Sequence, residues 1–358
     1  MNNLQRILLV MFLSFSVISL AQDKPKSWKS ITENKDEKWF ATDEAKAIAE
    51  NVLLYQRKIG GWPKNIEMQN ILSAEEKKEV AALKSEEKGC TTDNGATVQE
   101  MNYLSKMYKQ NPDQRYKDAF LKGLDYLLEA QYNNGGWPQF YPLKKGYATH
   151  ITYNDDSMVH ILNLLKQIKD KTDYYSIVPC DKTIKQADAA FNRGINCIVK
   201  TQYKQNGVLT SWCAQHDEIT LLPADARAFE LASLSGKESA KITLLLMSIE
   251  NPSKEVINAV ENAVAWFEKT KITGIKIENV PTSDGKTDRK VVASPDAEPL
   301  WARFMELSNN KPFFCDRDGI KKNTLAEIGY ERRNGYAWYT NEPKEVLKKY
   351  ENWKSKLK

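Results

Sequence analysis

The chain has 358 residues, 28% of them charged, and a formal net charge of +5. That length suffices for one large domain or two small ones, and the modest positive balance is compatible with a polyanionic ligand without identifying one. No dense Lys/Arg block interleaved with aromatics occurs, which argues against a nucleic-acid binder, and five cysteines in so long a chain are no disulfide framework.

The first segment reads as an export signal. Asn2 to Arg6 is short and carries one positive charge, Ile7 to Leu20 is almost unbroken apolar sequence, and Ser19 and Ala21 are small residues ahead of a cut before Gln22. About fourteen apolar residues are too few to span a bilayer comfortably. The expectation is a signal peptide over 1–21 and a single catalytic domain over 22–358, with no membrane span after leader removal. Periplasm, cell surface and medium are all compatible destinations, and a monomer is expected.

Beyond the leader the chain repeats itself. Leu54-Tyr55-Gln56 leads into Gly60-Gly61-Trp62-Pro63, Gln131-Tyr132 into Gly135-Gly136-Trp137-Pro138, and Gln202-Tyr203 into Gly207-Val208 with Trp212 a little later. The spacing is about 75 residues. Each unit reads as a helix ending at the Gln/Tyr pair, a glycine turn, a tryptophan segment that is a rigid Trp-Pro in the first two units and Trp212-Cys213 in the third, a loop and a second helix. Apolar residues at three- and four-residue intervals mark the second helices at Val98 to Met107 and Met158 to Ile168. The same spacing predicts helices over Tyr116 to Gln131, Ile184 to Gln202 and Pro252 to Lys269. Helical hairpins at a fixed period cannot bury their faces alone. The fold class is therefore all-α for the most part: an (α/α) toroid of about three helical-hairpin repeats, with the Gly-Trp loops at one end. Thr273 to Ser294, turning at Ser283-Asp284-Gly285, reads as a small β-hairpin, and the irregular C-terminal remainder is expected to cover the toroid.

Acidic residues recur at the predicted helix starts: Thr92-Asp93-Asn94-Gly95, Tyr153-Asn154-Asp155-Asp156 and Pro223-Ala224-Asp225-Ala226-Arg227. Each alone reads as an N-cap. Together, if the units superpose, Asp93, Asp155 and Asp225 converge on one rim, where hard oxygen ligands suit Ca²⁺. Arg227 reads either as a partner of Glu230 or as a fork for a uronate carboxylate. The cysteines read as buried thiols, with Cys180 and Cys197 the one pair worth checking; His150, His160 and His216 lack ligand-like spacing for a zinc site.

At these motifs the chain resembles the pectate lyases of polysaccharide lyase family 10. The resemblance spans most of the mature chain, through Gly60-Gly61-Trp62-Pro63-Lys64-Asn65, Thr92-Asp93-Asn94-Gly95-Ala96-Thr97, Asn134-Gly135-Gly136-Trp137-Pro138-Gln139, Tyr153-Asn154-Asp155-Asp156, Ala226-Arg227-Ala228-Phe229-Glu230-Leu231, Arg317-Asp318-Gly319 and Tyr330 to Tyr339. It implies cleavage of polygalacturonate by Ca²⁺-assisted anti β-elimination. Arg227 would be the base at C5, and Asp93 and Asp155 the Ca²⁺ ligands, with Asn94 and Asp156 as further ligands. Arg303 and Arg317 would be carboxylate-binding arginines. An arginine base needs surroundings that disfavour its cation, so an alkaline optimum follows. The rival readings are a lyase for another uronate polymer, an α/α-toroid glycoside hydrolase, and a Trp-rich carbohydrate-binding protein without turnover.

Overall fold

The structure, a computed structural model, describes residues 26–172 and 175–357, so the expected leader lies outside the described residues. The helices are α1 (Trp28–Thr32), α2 (Asp43–Tyr55), α3 (Ala74–Ala82), α4 (Val98–Gln110), α5 (Gln114–Ala130), α6 (Ser157–Lys169), α7 (Asp181–Thr201), α8 (Gly236–Met247), α9 (Lys254–Thr270), α10 (Tyr330–Gly335) and α11 (Pro343–Ser355). Among the described residues none is long and apolar enough to cross a membrane.

The long helices are amphipathic and pack in two rows. On α5 the buried residues Tyr116, Ala119, Phe120, Gly123, Leu124 and Leu127 form one stripe, and each large side chain buried there stabilises by about 1.5–3 kcal/mol. Successive members of the row α2, α5, α7, α9 touch one another, as do α4, α6 and α8. Between the rows α4 packs on α5, α6 on α7 and α8 on α9, with α11 against α8 and α9. This is the mostly helical toroid that the period implies. Starts are fixed by side-chain caps from Thr42, Ser73, Asp113, Ser235 and Ser253.

The repeated residues form a repeated clasp. The indole N–H of Trp62, Trp137 and Trp212 donates to the carbonyl of Val52, Leu127 and Ile198 in the preceding helix, at 2.8, 2.7 and 2.8 Å. The glutamine that ends each such helix bridges two carbonyls, one in its own turn and one in the next outer helix, at Ala119, Ala190 and Ala259. Gly135 sits at φ +95°, and a Cβ there would lie 2.0 Å from the carbonyl oxygen of Arg193, so no other residue fits the turn. A fourth clasp continues the series: Trp301 Nε1 donates to Phe267 O at 2.9 Å. It follows α9 only after an inserted hairpin of Ile275–Pro281 and Thr287–Ala293, antiparallel from Ile275↔Ala293 to Pro281↔Thr287.

The main core runs from Trp28 to Trp353. A second core gathers the C-terminal irregular segments around Phe304, Phe313, Phe314 and Trp338, with Phe229 and Tyr336 packed at its margin. All five cysteines are free, four buried and Cys180 exposed, so Cys180 and Cys197 form no bridge.

Candidate active site

Two short turns, Asp93–Gly95 ahead of α4 and Asn154–Asp156 ahead of α6, lie against each other, and the Thr92 and Ser157 hydroxyls are 2.6 Å apart across them. Both contain left-handed non-glycine residues, Asn94 at φ +53°, Asp155 at +50° and Asp156 at +61°. Such backbone costs about 1–3 kcal/mol per residue and persists only where surroundings impose it. The acidic side chains of these turns do not cap α4 or α6: neither helix has a side-chain cap bond at its start.

The sequence register is off by one. Thr91 N and Thr152 N donate to Trp62 O and Trp137 O, which aligns Asp93 with Asn154 and Asn94 with Asp155. In the third unit Trp212 O is met by Ser235 N, so Lys237 and Glu238 take the place of the acidic turn. Asp225 is therefore not on this rim. It lies exposed in the excursion 213–234, accepting from Ala232 N at 2.6 Å.

Asp93 is buried, and its Oδ2 accepts from Lys64 Nζ and, at 2.9 Å, from Gln139 Nε2. Asn94 Nδ2 donates to Asn65 Oδ1 at 2.9 Å. Asp155 Oδ1 is 3.2 Å from Lys237 Nζ and 3.3 Å from Arg303 Nη2. Burial alone would raise the Asp155 carboxyl, but Arg303 and Lys237 outweigh it and hold the group below its ordinary value. Asp156 is pushed up to about 6 by burial and the carboxylates of Glu238 and Glu342, and its Oδ1 is buried without a partner. A cleft of about 520 Å³ opens beside the turns, lined by Asn94, Asp155, Asp156, His160, Lys237 and Glu342 among others.

Arg303 joins the turns to the second core. It follows the strand Trp301–Ala302, whose partner is Tyr339–Thr340, and its Nη2 donates to Asn154 Oδ1 at 2.8 Å and to the fully buried Glu238 Oε1 at 2.9 Å. Its guanidinium lies 4.5 Å from the ring centre of Tyr336, and that of Arg332 lies 4.4 Å from the same ring. Arg227, Arg317 and Arg332 in turn surround the Phe229 ring at 5.0, 5.1 and 4.8 Å. Arg227 is half exposed, with Glu230 bound to its Nε at 2.7 Å and to Nη2, and that pairing raises its pKa. Arg317 is exposed and forks onto Glu331, both bonds 2.8 Å.

The site is thus an acidic, oxygen-rich double turn connected through Arg303 and Tyr336 to a three-arginine cluster. The sequence model of the pectic acid lyase family matches residues 56–347. The chain belongs to that family. It is a polysaccharide lyase, and two solved structures of a family 10 polysaccharide lyase from Cellvibrio cellulosa are similar to it. One, an aspartate-to-alanine mutant in complex with trigalacturonic acid, shares 34% identity over 88% of this chain and 96% of that one, with a TM-score of 0.76. The other shares 35% identity over 88% and 95%, with a TM-score of 0.75. No curated protein matches.

For this family member the structure sets the turns that carry Asp93, Asn94, Asp155 and Asp156 against each other, with Arg303 on Asp155, and places Arg227 and Arg317 on the adjoining Phe229 platform. Sequence reasoning left Lys237, Glu238, Phe229, Arg332 and Tyr336 without roles. The Ser235-Gly236-Lys237-Glu238 string carries the signature of a helix start, which was the available signal for Glu238. His150 Nδ1 meets Glu218 Oε2 at 3.0 Å with Asp217 beside them, but Asp217 Oδ1 is taken up by the amides of Ile219 and Thr220.

Proposed function

We propose that this lyase cleaves α-1,4-polygalacturonate by Ca²⁺-assisted anti β-elimination, releasing 4,5-unsaturated oligogalacturonides. The observation that carries the reading is the pairing of an all-oxygen double turn with an arginine cluster reached through Arg303. The donor set of Asp93, Asn94, Asp155 and Asp156 is hard oxygen throughout, and the unpartnered buried Oδ1 of Asp156 fits a cation. These residues would hold Ca²⁺, with Asp93 and Asp155 as the principal ligands. The ion, when bound, would supply neutralising charge at the sugar carboxylate and so acidify the neighbouring C–H.

The protein's own groups account for the rest. Arg227 accepts the C5 proton once its pair with Glu230 opens, a step favoured by alkaline pH because Glu230 stabilises its cation. Arg317, the more exposed of the two carboxylate-binding arginines, offers its fork to a uronate, and Arg303 holds the position of Asp155 while facing the same substrate. The C4–O bond then breaks, the departing oxygen takes a proton from water, and a double bond conjugated to the carboxylate remains. The complex of a similar family 10 lyase with trigalacturonic acid supports the choice of substrate.

The test is ultraviolet absorbance of polygalacturonate mixed with the purified protein at mildly alkaline pH, with Ca²⁺ and then excess chelator. A rise abolished by chelator, and absent in Arg227→Ala, is expected. A rise indifferent to chelator removes the metal from the reading, and no rise with this substrate removes the substrate.

A further inference from the structure

Arg332 has a setting that no other arginine of the site shares. Its side chain emerges from α10 into the second core and is buried. Its guanidinium stands 4.8, 4.4 and 5.1 Å from the rings of Phe229, Tyr336 and Trp338. Its Nη2 is buried with no hydrogen-bond partner, and its Nε reaches only Cys315 O, at 3.5 Å. Arg227 and Arg317 each have a carboxylate fork, whereas Arg332 has an aromatic box. A guanidinium tolerates such a box through cation–π attraction, but a buried cation with no ion-pair partner in direct contact still costs the fold its desolvation.

We propose that Arg332 is a positioning residue for Arg227: a permanent, unpaired positive charge that shares the Phe229 ring with Arg227 and disfavours a second cation there. This rests on the reading of Arg227 as the proton acceptor. The charged and titratable groups facing Arg332 are Glu230, Arg227 and Arg317, with Tyr336, Cys315, Asp316 and Glu331. Those facing Arg227 are Glu230, Tyr147 and Tyr336, besides the two arginines. Glu230 pulls Arg227 toward its cation, and Arg332 opposes that pull. Burial first, then Arg227 and Arg317, hold the Arg332 guanidinium below its ordinary value, as mutual repulsion requires. Both guanidinium carbons lie near 5 Å from one ring centre, so they are within about 10 Å of each other. At surface-like screening that separation corresponds to a shift of about one pH unit.

The experiment is kcat and KM for polygalacturonate against pH in wild type, Arg332→Met and Arg332→Lys, with thermal midpoints measured alongside. In Arg332→Met the ascending limb of kcat moves about one unit to the alkaline side, a fall of about tenfold at fixed pH on that limb, with KM moving less. In Arg332→Lys, which keeps the charge but stacks poorly, kcat falls while the limb stays in place. Arg332→Gln replaces the methionine variant if that one is unstable. An unmoved limb in the uncharged variants, or the same displacement in Arg332→Lys, overturns the proposal. Wild type without turnover, or Arg227→Ala as active as wild type, sinks the functional reading instead and takes this inference with it.

Discussion

Arg303→Met tests the framework that joins the two halves of the site. The Arg303 and Glu238 side chains are 7% and 0% exposed and 2.9 Å apart. Burial on its own pushes the Glu238 carboxyl up, and Arg303 followed by Lys237 more than reverses that, leaving it below its ordinary value. Removing the guanidinium leaves Lys237, at 3.8 Å, as the nearest opposing charge. Deleting one partner of a buried pair costs about 3–5 kcal/mol. At about 2.1 cal/mol/K per residue over roughly 330 residues, the thermal midpoint falls by about 4–7 °C. The sign of the pH dependence follows. In wild type the depressed carboxyl contributes stability that is present above its unfolded value and lost as pH falls through its folded value. In the variant the folded carboxyl rises above the unfolded one, so the stability lost to the substitution grows as pH rises from about 4.3, by up to about 1.4 kcal/mol per unit. Urea unfolding at pH 5 and pH 8 measures both effects. The double variant Arg303→Met/Glu238→Met, which removes both charges, recovers most of the loss. A single-variant loss under about 1 kcal/mol, or an equal loss at the two pH values, refutes the reasoning.

The clasp and the buried N-terminal contact give two more tests. Gly135→Ala places a methyl 2.0 Å from the Arg193 carbonyl at φ +95°, whereas Gly207→Ala at φ +84° meets open space. The first is expected to lose about 3 kcal/mol or more and the second about 1–2 kcal/mol, and equal urea midpoints for the pair would show that the turn yields to the methyl. Glu100 is fully buried, accepts Trp28 Nε1 at 2.7 Å, and is pushed up to about 7 by burial. Its folded pKa lies above the unfolded value, so wild type loses stability as pH rises from about 4.5 to 7. Glu100→Gln keeps an acceptor for the indole and removes that loss, a gain on the order of 3 kcal/mol at pH 8; superimposable stability–pH curves for the two proteins would contradict the assignment.

The toroid was legible because each repeated residue plays a separate physical part. Glycine lets the backbone pass beneath a carbonyl, tryptophan bonds to a carbonyl of the previous helix, and glutamine bridges to the next one. The period fails where chain is inserted. The hairpin between α9 and Trp301 hides the fourth clasp by lengthening its spacing, and the excursion 213–234 made Asp225 look equivalent to Asp93 and Asp155. The arginine cluster could not be read from spacing at all, because Arg227, Arg317 and Arg332 meet only through a second core assembled from distant segments. The third unit explains how these failures are connected. Where the first two units carry an acidic turn, it has Lys237 and Glu238 in the first turn of α8, reached only after the excursion 213–234 that carries Arg227. One break in the repeat thus supplies both the Lys237 amine beside Asp155 and the Glu238 carboxylate that anchors Arg303, and frees the segment that carries the proposed base. The repeat sets the scaffold and the paired acidic turns, and the groups that tie those turns to the arginine cluster enter where the repeat is interrupted.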